Sequence, residues 1–554
     1  MAKEYNKNDL QSLPECTRNF IKLVIRKMRY RKKVRADVQA ELVAHFEDEL
    51  KDCATDEEKE RKAQRLITDF GDVKLLAVLL RRAKKRCRPL WRTVVVRTFQ
   101  TIGVLILFFI LYTGWFLTGK PTINVDYLAV INQMNRPQVQ DEDNAWPYYE
   151  KAITLFVKPD DELGKIVNAS SEHPSLGGLS DEEQQKIRKW VELNESAWQE
   201  FAAGSSKSYC YREYGYDPND QEKSLFSVLL PHLAATRNLA RLGIWHARIH
   251  TDANQPQQAI ENCIVIARVG SHWQGKGILV EQLVGIAISG LAYGEILNIV
   301  EAKSLSSADL KHLQQQLVQI YPQGYPLMNM EGERLCFMDT VQHLFTEGGP
   351  GGGHLAPRKL DYLKDITDSG HEAGMVRLSF YTAAAMVHAG RDKTIDKGNE
   401  IYDRMGKLAK MSPYERRISD PNAVENMISA LPKYRFFLLQ FLSPAVDRAS
   451  EMAYRGRALH QTTVTVLALK RWRLEKNEYP AKLDELVTAE YLKELPMDPY
   501  TDKPLIYKKT DDNFTLYSVG PNFKDDGGQP GKDDKGQVKK WGNNGDTVFW
   551  PVPK

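Results

Sequence analysis

Between Thr98 and Leu117 the chain reads TFQTIGVLILFFILYTGWFL, an apolar run with no ionisable side chain. At about 1.5 Å per residue such a helix is about 30 Å long, the thickness of a bilayer core, so the pattern predicts one membrane-spanning helix at 98–117. A second apolar stretch, 278–300 (ILVEQLVGIAISGLAYGEILNIV), contains Glu281 and Glu295. Carboxylates are costly at membrane depth, and no Lys/Arg bias flanks this stretch, so it reads as a core helix of the soluble part. Gly290 and Gly294 stand in it at the spacing that lets two helices approach closely.

Before the first run, apolar positions recur every three or four residues. Phe20, Leu23, Val24 and Ile25 mark one amphipathic helix; Val38, Leu42, Val43 and Phe46 a second; Leu66 and Ile67 a third; Leu75, Leu76, Val78 and Leu79 a fourth. Phe70-Gly71-Asp72 separates the last two, with Gly71 suited to a helix end and Asp72 to capping the next helix. With Glu41-Leu42, His45, Asp48, Ala63, Leu66 and Leu76-Ala77, this order resembles the HAAS-type signalling domain of bacterial membrane proteins. The resemblance implies a non-enzymatic relay or interaction module at about 1–90.

From 121 to 443 helical periodicity dominates, as in NAWPYYEKAITLF (144–156) and AIENCIVIARV within 255–272. Ala-rich helices of this kind suit packing in hairpins, so an irregular α-helical array is expected, without a clean repeat period. In the last part, 444–554, a long helix ends at Asn477-Glu478-Tyr479-Pro480, where proline cannot continue it. Strands are expected near 504–508 and 514–519; Phe514, Leu516 and Ser518 alternate with Thr515 and Tyr517. The fold class expected is mainly α: a helical head, one transmembrane helix, a helical extracytoplasmic array and a small α+β module.

The order Tyr479-Pro480, Leu495-Pro496, Asp498-Pro499-Tyr500, Pro504-Leu505-Ile506-Tyr507, Ser518-Val519-Gly520 and Asp525-Asp526-Gly527-Gly528 resembles the globular end of the major pseudopilin of type II secretion. In that family the acidic loop binds calcium, which implies Asp525, Asp526 and Asp546 as metal ligands here. The loop departs from the pattern by an insertion, 529–544, rich in lysine. The family's leader and early membrane-helix Glu are also absent from this chain's membrane run, so filament assembly is not implied.

Charge gives the membrane run a direction. Residues 1–97 hold 25 Lys+Arg against 15 Asp+Glu, and 98–554 hold 51 against 57. Basic flanks stay cytoplasmic, and Arg81 to Arg97 has no counterpart beyond the run, so the N-terminus is expected inside and the body outside the inner membrane. Trp91, Tyr112 and Trp115 suit the headgroup zone. Nothing in the pattern points to nucleic acid. Cysteines 16, 53, 87, 210, 263 and 336 form no CxxC, which excludes a zinc knuckle and leaves at most one bridge among Cys210, Cys263 and Cys336.

Candidate chemistry is thin. His246 and His250 lie one turn apart but lack the Glu of HExxH and have Arg248 between them; His45 with Asp48 supplies two ligands at most. The loop Gly348–His354 lacks the ending of a Walker motif and reads as a flexible connection. Tyr209 to Tyr216 is an aromatic run that reads as packing, with a glycan surface as the alternative, and YRFFLLQFL (434–442) reads as core. No GxSxG occurs. The expectation is a membrane-anchored interaction, scaffold or sensing protein with protein partners in the envelope; the alternatives are an envelope hydrolase with a dispersed site, or an accessory of secretion machinery.

Overall fold

The computed structural model describes residues 10–86, 90–139, 141–168, 175–218, 223–228, 230–361, 375–419, 423–442 and 446–553; Cys87 lies outside them. Among the described residues there are 22 α-helices and three short strands, so the protein is mainly α. The chain divides into two compact units, Met1–Trp115 and Phe116–Lys554.

The first unit packs the helices Glu15–Lys27, Lys32–Leu50, Asp56–Phe70 and Val73–Arg86 around Phe20, Ile21, Val24, Val38, Val43, Phe46, Ala63 and Ala77. Phe20, Phe46 and Phe70 form an aromatic triangle with ring centroids 5.6–6.1 Å apart. Gly71 ends the third helix at φ +73, and Asp72 Oδ1 accepts the Lys74 and Leu75 amides at 2.5 and 3.0 Å, the capping expected from the sequence. Leu75 and Leu79, predicted for the core, instead stand exposed at 60 % and 51 %. They share a face one turn apart, while Ala77 turns inward. The apolar run begins earlier than expected, within a helix Leu90–Thr118, and its most apolar window buries none of its residues.

The second unit starts at the end of that helix. Phe116 is buried and stacks on His354 at 4.1 Å, and Gly119 leaves room that a Cβ would take from His354 and Thr346 at 2.8 Å. Pro121 pairs with Thr346, and Gln342 exchanges hydrogen bonds with both the amide and the carbonyl of Val125. The centre of the unit is three successive helices, Pro231–Asp252, Pro256–His272 and Leu279–Ala302, joined by short turns. The last two meet through Gly270 and Gly285: a Cβ on Gly270 would lie 2.2 Å from Ser289 Oγ and 2.7 Å from the Gly285 carbonyl. Gly290 and Gly294, the expected contact, face open space. The Leu279–Ala302 helix is a core helix, with 67 % of its apolar window buried.

The long helix Val446–Lys476 packs on Leu279–Ala302 and on Ser307–Ile320. Beyond it β1 (Ile506–Lys509), β2 (Phe514–Ser518) and β3 (Thr547–Trp550) form an antiparallel sheet in the order β1-β2-β3. Tyr507 faces Leu516, and Leu516 faces Trp550 beside a bulge. Phe514, Leu516 and Trp550 belong to the same apolar cluster as Leu467, Leu313 and Ile296, so 444–554 shares its core with the helices. Tyr517, expected on the open face of β2, is buried as well, because its hydroxyl donates to Asp525 and Lys508 covers its ring. Cys210, Cys263 and Cys336 are separate buried thiols without a bridge.

Candidate functional site

A buried polar cluster lies where the 209–216 loop meets the first turn of Leu279–Ala302. Gly277, at φ +72, makes the turn between the helices; a Cβ there would lie 2.3 Å from Glu281 Oε2 and 2.7 Å from the Tyr214 hydroxyl. Its bare backbone therefore admits the hydrogen bond in which Tyr214 donates to Glu281 Oε2. Glu281 Oε1 is 3.4 Å from His232 Nε2, and His232 sits between Trp146 and Trp273 with centroids 5.4 and 5.0 Å away. Lys276 Nζ donates to the Cys210 carbonyl at 2.8 Å, and Asn132 holds both the amide and the carbonyl of Tyr214.

Burial, then the charge of Glu281, raises the Tyr214 phenol far above its ordinary range. Burial raises the Cys210 thiol to about 12 and lowers the Lys276 ammonium. Tyr214 is thus a fixed donor, and Cys210 is not a nucleophile at neutral pH. Tyr, Glu and His in contact are the parts of an acid–base relay, yet the cavity beside them measures about 20 Å3. That is room for a water and not for a substrate, so the cluster's work is to satisfy a buried carboxylate. The aromatic run is part of this packing: Tyr209 and Tyr214 are buried, and the Tyr211 hydroxyl donates to the Asn132 carbonyl.

The paired histidines do not converge. His246 is buried and stacked on Trp198 at 5.1 Å, with burial and then His250 lowering it to about 4. His250 bonds to Gln255. Between them Arg248 turns inward and binds Glu295 through two hydrogen bonds of 3.1 and 2.8 Å, both side chains being buried. Glu295 therefore has a guanidinium partner that sequence spacing did not identify; the two lie 47 positions apart, with no period linking them. His45 packs edge-on against Phe46 and Phe70. Phe436, Leu438 and Leu439 of the 434–442 stretch are buried in a core cluster.

The Gly348–His354 loop is a closed turn rather than an open linker. The Gly348 amide donates to the Gly352 carbonyl, and the Thr346 amide to that of His354. A Cβ at Gly352 or Gly353 would lie 1.9 Å from Asp392 or from the Thr346 carbonyl, so both glycines, at positive φ, are sterically required.

Asp525, Asp526 and Asp546 do gather at one corner of the C-terminal sheet. Asp546 is buried and accepts the Asp526 and Gly528 amides at 3.1 and 2.6 Å; Asp525 accepts the Tyr517 hydroxyl and the Gly527 amide, both at 2.9 Å; Asp526 accepts from Asn522 at 2.7 Å. Burial, with the charges of its two neighbours, raises the Asp546 carboxyl. Lys508 donates to the Gly527 carbonyl at 3.1 Å, and the Tyr517 contact and the charges of Asp525 and Asp546 raise its ammonium. Calcium takes about six to eight oxygen ligands converging on one point. Among the described residues no three His, Cys, Asp or Glu side chains form a metal-ion group, and these three acids are engaged by backbone amides and neighboured by Lys508.

The acid that organises this module is Asp498, which the sequence presents only as part of a turn. It is 2 % exposed, and its carboxylate accepts the Ser518 hydroxyl at 2.7 Å and the Tyr500 and Val519 amides at 2.9 Å. Burial raises its carboxyl, and those three bonds oppose the rise. Tyr500 in turn bonds to Glu451 and Arg455 on the long helix. The Asp-Pro-Tyr signal was legible; its target, the end of β2, was not. Comparison with family models, curated proteins and solved structures finds no match to this chain.

Proposed function

We propose that this protein is a membrane-anchored, non-enzymatic interaction or sensing scaffold. It spans the inner membrane once through Val94–Thr118, with the basic head in the cytoplasm and the body outside. The observation that carries this reading is the contrast between the two apolar helices. In Leu279–Ala302 the carboxylates are partnered and the apolar side chains are covered by neighbouring helices. In Val94–Thr118 residues such as Phe99, Leu105, Phe108 and Ile110 have no protein cover, and only a lipid phase would remove them from water at no cost in buried polar groups.

The likeness of the head to a HAAS-type domain supports a relay or docking role, and Leu75 and Leu79 offer that head an apolar contact for a helical protein partner. The pseudopilin-like end supports a reused fold without filament assembly. Two buried acids of the body are taken up by partners within the fold, Glu281 by Tyr214 and Glu295 by Arg248.

Carbonate extraction tests the anchor. The full chain should stay in the membrane pellet, and a Leu105→Lys, Phe108→Lys double variant should appear in the supernatant, since each charge costs about 3 kcal/mol at the centre of a spanning helix. Release of the unaltered chain by carbonate would refute the anchor.

A further inference from the structure

The last turn of the apolar helix opens on a cavity of about 490 Å3. Leu117, Pro121 and Ile123 form an apolar side, Lys120 and Arg358 bring two cations, and no carboxylate is among the described lining residues. The site is built in advance, because Phe116 is locked on His354 and Pro121 on Thr346, so a ligand need not order the segment that receives it. We propose that this cavity binds the phosphodiester headgroup of an anionic phospholipid, with the start of an acyl chain along Leu117 and Ile123.

The proposal rests on the anchoring reading, which puts Thr118 where the hydrocarbon core ends and headgroups begin. Two features select a lipid over a free anion. Guanidinium and ammonium groups suit a phosphate, Arg358 by paired hydrogen bonds and Lys120 as a point charge. The apolar wall gives nothing to inorganic phosphate, but removes lipid methylenes from the headgroup zone. A zwitterionic lipid would carry its own cation into a cavity already lined by Lys120 and Arg358.

The test uses the full chain in nanodiscs of phosphatidylcholine alone, of phosphatidylcholine with phosphatidylglycerol, and of phosphatidylcholine with inorganic phosphate in the buffer. Native mass spectrometry after release from the discs reads the lipid retained, and thermal melting reads the body. Phosphatidylglycerol should be retained over phosphatidylcholine by roughly 10-fold and should raise the melting temperature, since each cation at a membrane surface adds a comparable small increment. A Lys120→Gln, Arg358→Gln double variant, altered only at exposed side chains, should melt as the parent does in pure phosphatidylcholine and should lose the preference. Equal retention of the two lipids, an undiminished preference in the double variant, or the same melting shift from inorganic phosphate would each overturn the lipid assignment. A chain that does not co-elute with the discs overturns the anchoring reading and this proposal together; one that co-elutes without preference overturns this proposal alone.

Discussion

Acidifying the full chain from pH 7 to pH 5 should unfold the Phe116–Lys554 unit while it remains folded at pH 7. Among the described residues six histidines are buried there, and burial holds four of them below their ordinary range. Burial lowers His246, His388 and His460 from 6.5 to about 4, and His272 to about 3. His272 is fixed between the Tyr149 hydroxyl at 2.7 Å and the Lys207 carbonyl at 3.0 Å, and His460 faces the Leu317 carbonyl at 3.1 Å. Unfolded histidine takes up its proton as the pH falls below about 6.5, and these four do not until about 4 or 3. In that window the unfolded state binds more protons, so stability falls with pH. At pH 5 each contributes a loss on the order of 2 kcal/mol, and four together approach the whole stability of an ordinary domain. Burial also raises the Glu333, Asp498 and Asp546 carboxyls, which works the other way; backbone donors hold all three shifts down. Tryptophan fluorescence or near-ultraviolet dichroism against pH reads the result. A His388→Phe variant, which keeps a ring against Phe345 and Phe437 at a position whose Nε2 is buried without a partner, should move the midpoint to lower pH. Equal stability at pH 7 and pH 5 would show that the histidines are not buried as described.

Replacing Arg248 by Ala should lower the stability of the same unit by about 3–5 kcal/mol, the usual cost of leaving one partner of a buried ion pair without the other. The charge stranded is Glu295, on the helix that the sequence offers as a second membrane candidate. Arg248 also lies 4.8 Å over the Trp245 ring, so packing is lost with the charge. An Arg248→Met, Glu295→Leu double variant removes both charges at similar volume and should recover most of the loss, because the pair's attraction largely offsets its own desolvation. Urea unfolding of the three proteins measures this directly. A double variant no more stable than Arg248→Ala would mean that the pair itself, and not the avoidance of a lone charge, stabilises the helix packing.

Local order was legible in this sequence and distant partnership was not. The helical head, the Gly71–Asp72 break, the end of the long helix before Pro480 and strands β1 and β2 each follow from the periodicity or backbone limits of a few adjacent residues. The contacts that decide the chemistry join residues far apart. Tyr214 meets Glu281 across 67 positions, Arg248 meets Glu295 across 47, and Asp498 meets Ser518 across 20. No spacing rule connects them, and each turns an acid that looked available into one that is spent. The glycine contact failed for the same reason. Gly290 and Gly294 fit a spacing, but the helices meet at Gly270 and Gly285, which only the short turn between the helices brings face to face. Tyr517 escaped the alternation of β2 because the 520–528 loop folds back over it.

The central claim, one crossing by Val94–Thr118 with the body outside, is tested most directly by protease added to spheroplasts that express the full chain with distinct tags at its two ends. The account predicts that the C-terminal tag is lost, that a membrane-bound fragment of the head and helix survives, and that the N-terminal tag is cut only after lysis. Loss of the N-terminal tag with protection of the C-terminal one would reverse the orientation. Protection of both tags, or recovery of the intact chain in the soluble fraction, would contradict a single crossing.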